Sequence, residues 1–186
     1  MKMTARSLPL FLVVPALSAC LSLSGCGYTT RSMISAKYKT IYVKPVVNRI
    51  DITQEADAAL KYKIYRPLLD TELTKAIIDR CVFDGNLMPV KSEDADLVLE
   101  SELIDFRKEP LRYTENDDVE EYRVNIMVNM SLRDNKKKEV LWQEKSFTGD
   151  QTYFTTGQNV KSEDSAINEA IADLARRIIE RIVEEW

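Results

Sequence analysis

Histidine is missing from this 186-residue chain altogether. That removes every Ser-His and Cys-His nucleophile arrangement and the commonest zinc ligand. Serine paired with lysine remains chemically open, but no Ser-x-x-Lys occurs. Glycine is scarce, with five residues, and none falls in a GxGxxG or P-loop pattern, so loops that cradle nucleotide phosphates are excluded. The three cysteines are Cys20, Cys26 and Cys81. Cys20 lies in an apolar leader, and Cys26 directly follows it. Cys81 then stands alone in the folded part, and no intramolecular disulfide is expected there. It sits in an apolar helical stretch, where a buried, inert thiol is expected. Basic excess is also lacking. The formal net charge is −4, and about −6 once Lys2 and Arg6 leave with the leader. A mildly acidic domain is ill suited to a phosphate backbone, so no nucleic-acid partner is expected. Glu100 and Glu102 alternate along one strand and share a solvent face rather than an acid-base site. The acidic stretch Glu115–Glu121 lacks the glycine and the spacing of a calcium loop and reads as a solvated turn.

The leader itself has three parts. Lys2 and Arg6 form a positive start, Leu8 to Leu23 carries no charge, and Leu23-Ser24-Gly25-Cys26 closes it. This is an export signal rather than a structural helix. The apolar run is short of the roughly 20 residues that a membrane span needs, and Pro9 and Pro15 interrupt it. Leu-Ser-Gly-Cys resembles a lipobox, in which the thiol takes diacylglycerol and the new amino terminus is acylated. Two or more acyl chains give stable anchoring. Residues 1–25 are therefore expected to be a signal peptide, Cys26 the lipidated residue, and 26–38 a polar tether on the membrane. Leu17-Ser18-Ala19-Cys20 fits the same pattern, but cleavage there would leave the apolar Leu21–Leu23 on the mature terminus. Gly27, rather than aspartate, follows Cys26, so no signal for inner-membrane retention is seen.

Residues 39–186 make one domain with room for a real core. Thr40–Asn48 alternates, with Ile41, Val43 and Val47 on one face, and Pro45 places this strand near an edge or a bulge. Asp51–Lys63 is a polar connection. Pro67 suits a first helical turn, and Leu69, Leu73, Ala76, Ile77 and Cys81 follow at helical spacing up to Asp84-Gly85-Asn86. Asp96–Phe106 and Glu120–Leu132 read as strands. In the second, Tyr122, Val124, Ile126, Val128, Met130 and Leu132 all point one way. The turn Asp134–Lys138 joins it to Val140–Thr148 as a hairpin, and Gln151–Lys161 reads as a loop. Ile167, Ile171, Leu174, Ile178 and Ile182 then mark a long helix, with Ser162, Asp164 and Ser165 available to cap it. The order predicts α+β, with two helices packed on one face of a four-stranded, mainly antiparallel sheet. The other face, with Tyr42, Met127 and Phe147 or Lys145, is left for a partner.

Several stretches taken in order carry a resemblance. They are Cys26-Gly27-Tyr28, Ile41-Tyr42-Val43-Lys44-Pro45-Val46-Val47-Asn48-Arg49, Leu69-Asp70-Thr71-Glu72-Leu73-Thr74, Ala95-Asp96-Leu97-Val98-Leu99-Glu100 and Glu121-Tyr122-Arg123-Val124. Val140-Leu141-Trp142, Ala170-Ile171-Ala172-Asp173-Leu174-Ala175 and a terminal Glu185-Trp186 complete the set. Together they resemble LptE, the outer-membrane lipopolysaccharide-assembly lipoprotein family. The resemblance implies no catalysis and no cofactor. It implies a plug for the LptD β-barrel that helps the barrel fold and takes part in delivering lipopolysaccharide to the cell surface. It also implies an address on the periplasmic side of the outer membrane. Family members of this kind use basic loop residues toward the lipid, which points here to Arg133, Lys136, Lys137 and Lys138. The last three are the densest basic cluster in the chain, and lysine is a good point charge for phosphate. A competing reading of the same residues is a solubilising turn that guards a strand edge. The rival for the whole chain is an outer-membrane lipoprotein that activates a cell-wall synthase.

Overall fold

The computed structural model describes residues 37–50, 66–92 and 94–184. The leader, Cys26, most of the tether and the connection 51–65 lie outside the described residues. Six strands and two helices follow in the order β1 (Thr40–Val43), β2 (Val47–Asn48), α1 (Leu69–Asp84), β3 (Met88–Pro89), β4 (Leu97–Tyr113), β5 (Val119–Asp134), β6 (Glu139–Phe154) and α2 (Glu163–Glu184).

The fold is α+β, but its sheet is mixed rather than four-stranded and mainly antiparallel. The strand order is β3-β1-β4-β5-β6, with β2 beside β4. β4, β5 and β6 form an antiparallel meander, whereas β1 runs parallel to both β3 and β4, and β2 runs parallel to β4. Parallel neighbours need a crossover, and α1 supplies it between β1 and β3. Two strands are only two residues long, too short for any alternation to reveal.

Proline accounts for the division of the expected Thr40–Asn48 strand. Pro45 has no N–H to give a ladder. The next N–H, of Val46, is donated to Thr74 Oγ1 on α1 at 2.9 Å. Alternation slips there, so Val46 is buried and Val47, expected beside Ile41 and Val43, is exposed.

α1 buries one row at four-residue spacing: Leu69, Leu73, Ile77 and Cys81. Residues four apart lie over one another on a helix. Asp70 and Glu72 in its first turn suit the dipole. It stops at Gly85, whose φ of 74° lets its N–H reach the Cys81 carbonyl at 3.2 Å. Cys81 is 2% exposed, and burial pushes its thiol up to about 11, consistent with an inert core residue. α2 is capped as expected, with Ser162 Oγ accepting the Ser165 N–H at 3.2 Å. Its buried stripe includes Ile167, Ile171, Leu174, Ile178 and Ile182.

Both helices serve the core that lies on one side of the sheet, where Leu97, Leu99, Leu103, Val124, Ile126, Val128 and Leu132 are fully buried. Gly149 marks where α2 comes closest to β6. A Cβ there would stand 2.6 Å from the Leu174 Cα.

Phe147 corrects the expected open face. It lies opposite Val128 on the helix side, beneath the Arg177 guanidinium at 5.4 Å. The register shifts between Val128 and Met130, and Ser146, at φ 55°, donates its N–H to Asn129 Oδ1. This bulge inserts a residue and flips the faces that simple alternation assigns. β6 also runs on to Phe154, so Gln151–Phe154 is strand rather than loop.

Candidate functional site

The lysine turn joins β5 to β6. Asp134 begins it and is 2% exposed. Its Oδ1 accepts the N–H of Lys136 at 3.0 Å and of Lys137 at 3.1 Å, while its Oδ2 accepts the Tyr38 hydroxyl at 2.8 Å. Burial works to raise the Asp134 pKa, but these donors outweigh it and hold the carboxyl below its ordinary value. An aspartate that accepts the N–H groups two and three residues on is the local chemistry of a turn. Lys138 takes φ 60° and places its ammonium 2.9 Å from Asn135 Oδ1.

The four expected site residues do not form one cluster. Lys136 reaches Asp96 Oδ1 at 2.5 Å. Arg133 points along the open face of the sheet, 3.7 Å from Glu100 Oε1. Asp96, just before β4, and Glu100 within it are four residues apart, roughly 13 Å at strand rise. Lys137 has no hydrogen bond or ion pair of its ammonium among the described residues. The turn therefore offers one uncommitted cation, one held by an amide and one held by a carboxylate.

Asp96 is the residue that sequence reasoning missed. The Lys136 ammonium and then the Lys39 and Thr40 backbone donors keep its carboxyl well below the usual carboxylate range, against the effect of burial. Nothing local in the sequence signals this, because the partners lie about 40 and 57 residues away. Asp134 was detectable, since Asp-Asn opening a hairpin is a turn signal.

The open face carries a row of charged pairs, with Tyr42, Val98 and Met127 set among them. Glu100 pairs with Lys44 at 2.9 Å and Glu102 with Arg49 at 3.4 Å. Further along, Asp105 pairs with Arg107, and Asp150 with Arg123 at 3.8 Å. Between the first pairs runs a shallow groove of about 480 Å³, with Ser131, Asn129, Gln143 and Lys145 on its walls. The expected sharing of a solvent face by Glu100 and Glu102 holds, and both are salted. The acidic stretch is a turn only over residues 115–118, where Thr114 Oγ1 accepts the N–H groups of Asn116 and Asp118, while Val119–Glu121 already belong to β5. Among the described residues no helix is long and apolar enough to cross a membrane.

Comparison with known proteins bears on this arrangement. The sequence model of a lipopolysaccharide-assembly family, LptE, matches residues 38–182. No curated protein sequence matches the chain. Among solved structures, the protein XCC0632 from Xanthomonas campestris is 10% identical with a TM-score of 0.52, covering 79% of this chain and 84% of its own. The rare lipoprotein B of Shewanella oneidensis is 14% identical with a TM-score of 0.46, covering 78% and 95%. A lipoprotein B from Nitrosomonas europaea is 12% identical with a TM-score of 0.48, covering 78% and 83%. At such identities only the first likeness carries weight, and it concerns the fold alone.

Proposed function

This chain belongs to the LptE family of lipopolysaccharide-assembly proteins, and on that footing we propose that it is a lipid-anchored, non-catalytic subunit that plugs an LptD-type β-barrel of the outer membrane. The observation that carries the reading is the family match, which runs from Tyr38 to Ile182 and so takes in the described strands and both helices. The lipobox at Cys26 supports a periplasmic location on the outer membrane, with the protein held by acyl chains rather than by a span.

The open face supports the barrel as partner. Transmembrane barrels are polar inside. A sheet face dominated by paired charges and amides suits such a wall, with Tyr42 and Met127 adding a small apolar contact. In this role the protein helps the barrel fold and takes part in passing lipopolysaccharide to the cell surface. Contact with the lipid belongs to the lysine turn, where Lys137 and then Lys138 and Lys136 meet the phosphates of lipid A, with Arg133 further along the open face. The geometry favours Lys137 because its ammonium is the least committed.

A pull-down of the tagged full-length protein from detergent-solubilised outer membrane tests the reading. Recovery of a large β-barrel is the expected result. Recovery of a penicillin-binding protein instead would replace it with the synthase-activator reading. The anchor has its own test: Cys26→Ala should abolish palmitate labelling while Cys20→Ala leaves it intact, and labelling that survives Cys26→Ala moves the lipid elsewhere.

A further inference from the structure

Two carboxylates at one end of the sheet each hold two separate segments. Asp96 Oδ2 accepts the backbone N–H of Lys39 at 2.8 Å and of Thr40 at 3.1 Å, together with the Thr40 hydroxyl at 3.2 Å. The Asp96 N–H returns a bond to Thr40 Oγ1 at 2.9 Å. The other carboxylate oxygen takes Lys136. Asp134 does the same in mirror fashion, with the Tyr38 hydroxyl on one oxygen and the N–H groups of the lysine turn on the other. Tyr38 to Thr40 is where the chain from Cys26 joins the sheet. The turn lies nearly 100 residues later in sequence, yet both segments hang on the same two side chains.

We infer that these contacts form a clasp coupling the anchored end of the chain to the lysine turn, so that an anionic lipid phosphate drawing Lys136 from Asp96 loosens Tyr38–Thr40. This rests on the phosphate-binding reading of the turn given above. The physical reason is charge compensation. Lys136 is the one cation on Asp96 among the described residues, and its own side chain is 76% exposed and within reach of a ligand. The Asp96 side chain is only 13% exposed. Without Lys136 it is a shielded anion held by neutral donors alone, and such a charge gains by opening to water. The coupling runs both ways, because linkage between two binding equilibria is reciprocal. Release of the leading segment frees Lys136 and strengthens the hold of the turn on phosphate.

Amide hydrogen exchange on the full-length lipidated protein in neutral detergent reads this directly, since local opening appears as lost protection. Lys136→Ala should raise exchange at Lys39 and Thr40 several-fold, with Val124 and Leu174 unchanged and Lys137→Ala without effect at those two amides. Unaltered protection of Lys39 and Thr40 in Lys136→Ala overturns the clasp. For the ligand half, the wild-type protein is exposed to micelles containing bis-phosphorylated lipid A or its dephosphorylated form. Loosening with the phosphorylated lipid alone is expected. Bound phosphorylated lipid with Lys39 and Thr40 still protected overturns the coupling. No binding of that lipid overturns the ligand half together with the turn assignment beneath it, and the Lys136→Ala comparison then decides the clasp alone.

Discussion

The two faces of the sheet are written by the same three long strands in alternate residues, yet they are built on different physics. On the helix side, Leu99, Leu103, Val124, Ile126, Val128 and Leu132 lose all contact with water beneath α1 and α2. On the open side the same strands carry Glu100, Glu102, Arg107, Arg123 and Arg133 in ion pairs with half-exposed side chains. Burial of apolar area contributes about 25 cal/mol per Å², whereas exposed ion pairs contribute roughly 0–1 kcal/mol each. The helix side therefore holds the fold together. Residues on the open side can change with little loss of stability.

The sharpest test of that contrast is on the helix side. Leu174→Ala should lower the stability of the domain by about 2–5 kcal/mol, the usual range for a fully buried leucine. Urea unfolding would measure it, and a loss under 1 kcal/mol would mean that α2 does not seal the core. Gly149→Ala should come next, at about 1–3 kcal/mol, because the added methyl meets the Leu174 backbone rather than a yielding side chain. The same melts would show it, and a neutral result would mean that α2 stands further from β6.

Asp96 gives an intermediate effect with a pH signature. Its folded pKa lies below the unfolded value, chiefly through Lys136 and the Lys39 N–H. A depressed carboxylate contributes stability above its unfolded pKa, about 3.9, and that contribution fades as pH falls from there toward the folded value. Asp96→Asn should thus melt lower than the native protein at pH 6, with the gap narrowing below about pH 4. A gap independent of pH would assign the loss to packing instead. The smallest effect belongs to the open face. Arg123→Ala, which removes a 3.8 Å pair with Asp150, should shift stability by no more than about 1 kcal/mol. Combined with Met127→Asp on the same face, it should still fold with an unchanged circular dichroism spectrum but lose recovery of the barrel. Retained recovery would place the partner on another surface.

Much of the helix side was legible before any coordinates. Five apolar residues from Ile167 to Ile182 and six from Tyr122 to Leu132 repeat at helix and strand periods, and an unbroken period reports a buried face directly. Two of the misplaced residues share one cause. At Pro45 and at the bulge around Ser146 the backbone shifts register by a residue, which sends Val47 and Phe147 to faces that alternation does not predict. The extensions of β4 past Phe106 and of β6 past Thr148 were hidden because charged and polar residues there interrupt any two-residue apolar alternation. Short β3 was hidden because two residues hold no period, and β2 was read as a continuation of β1.

What the sequence determined by itself was the local part: the helix ends at Ser162 and Gly85, and the apolar stripes. Those depend on neighbours a few residues away, and the chain states them in order. Tertiary structure alone decided the parallel placement of β1 beside β4, the flip of Phe147 to the helix side, and the joining of Asp96 to both Lys39 and Lys136. Each joins segments many residues apart. Such contacts arise only when the whole core closes, because the entropy of bringing distant segments together is offset by burial shared across the entire sheet and not by any short stretch of it.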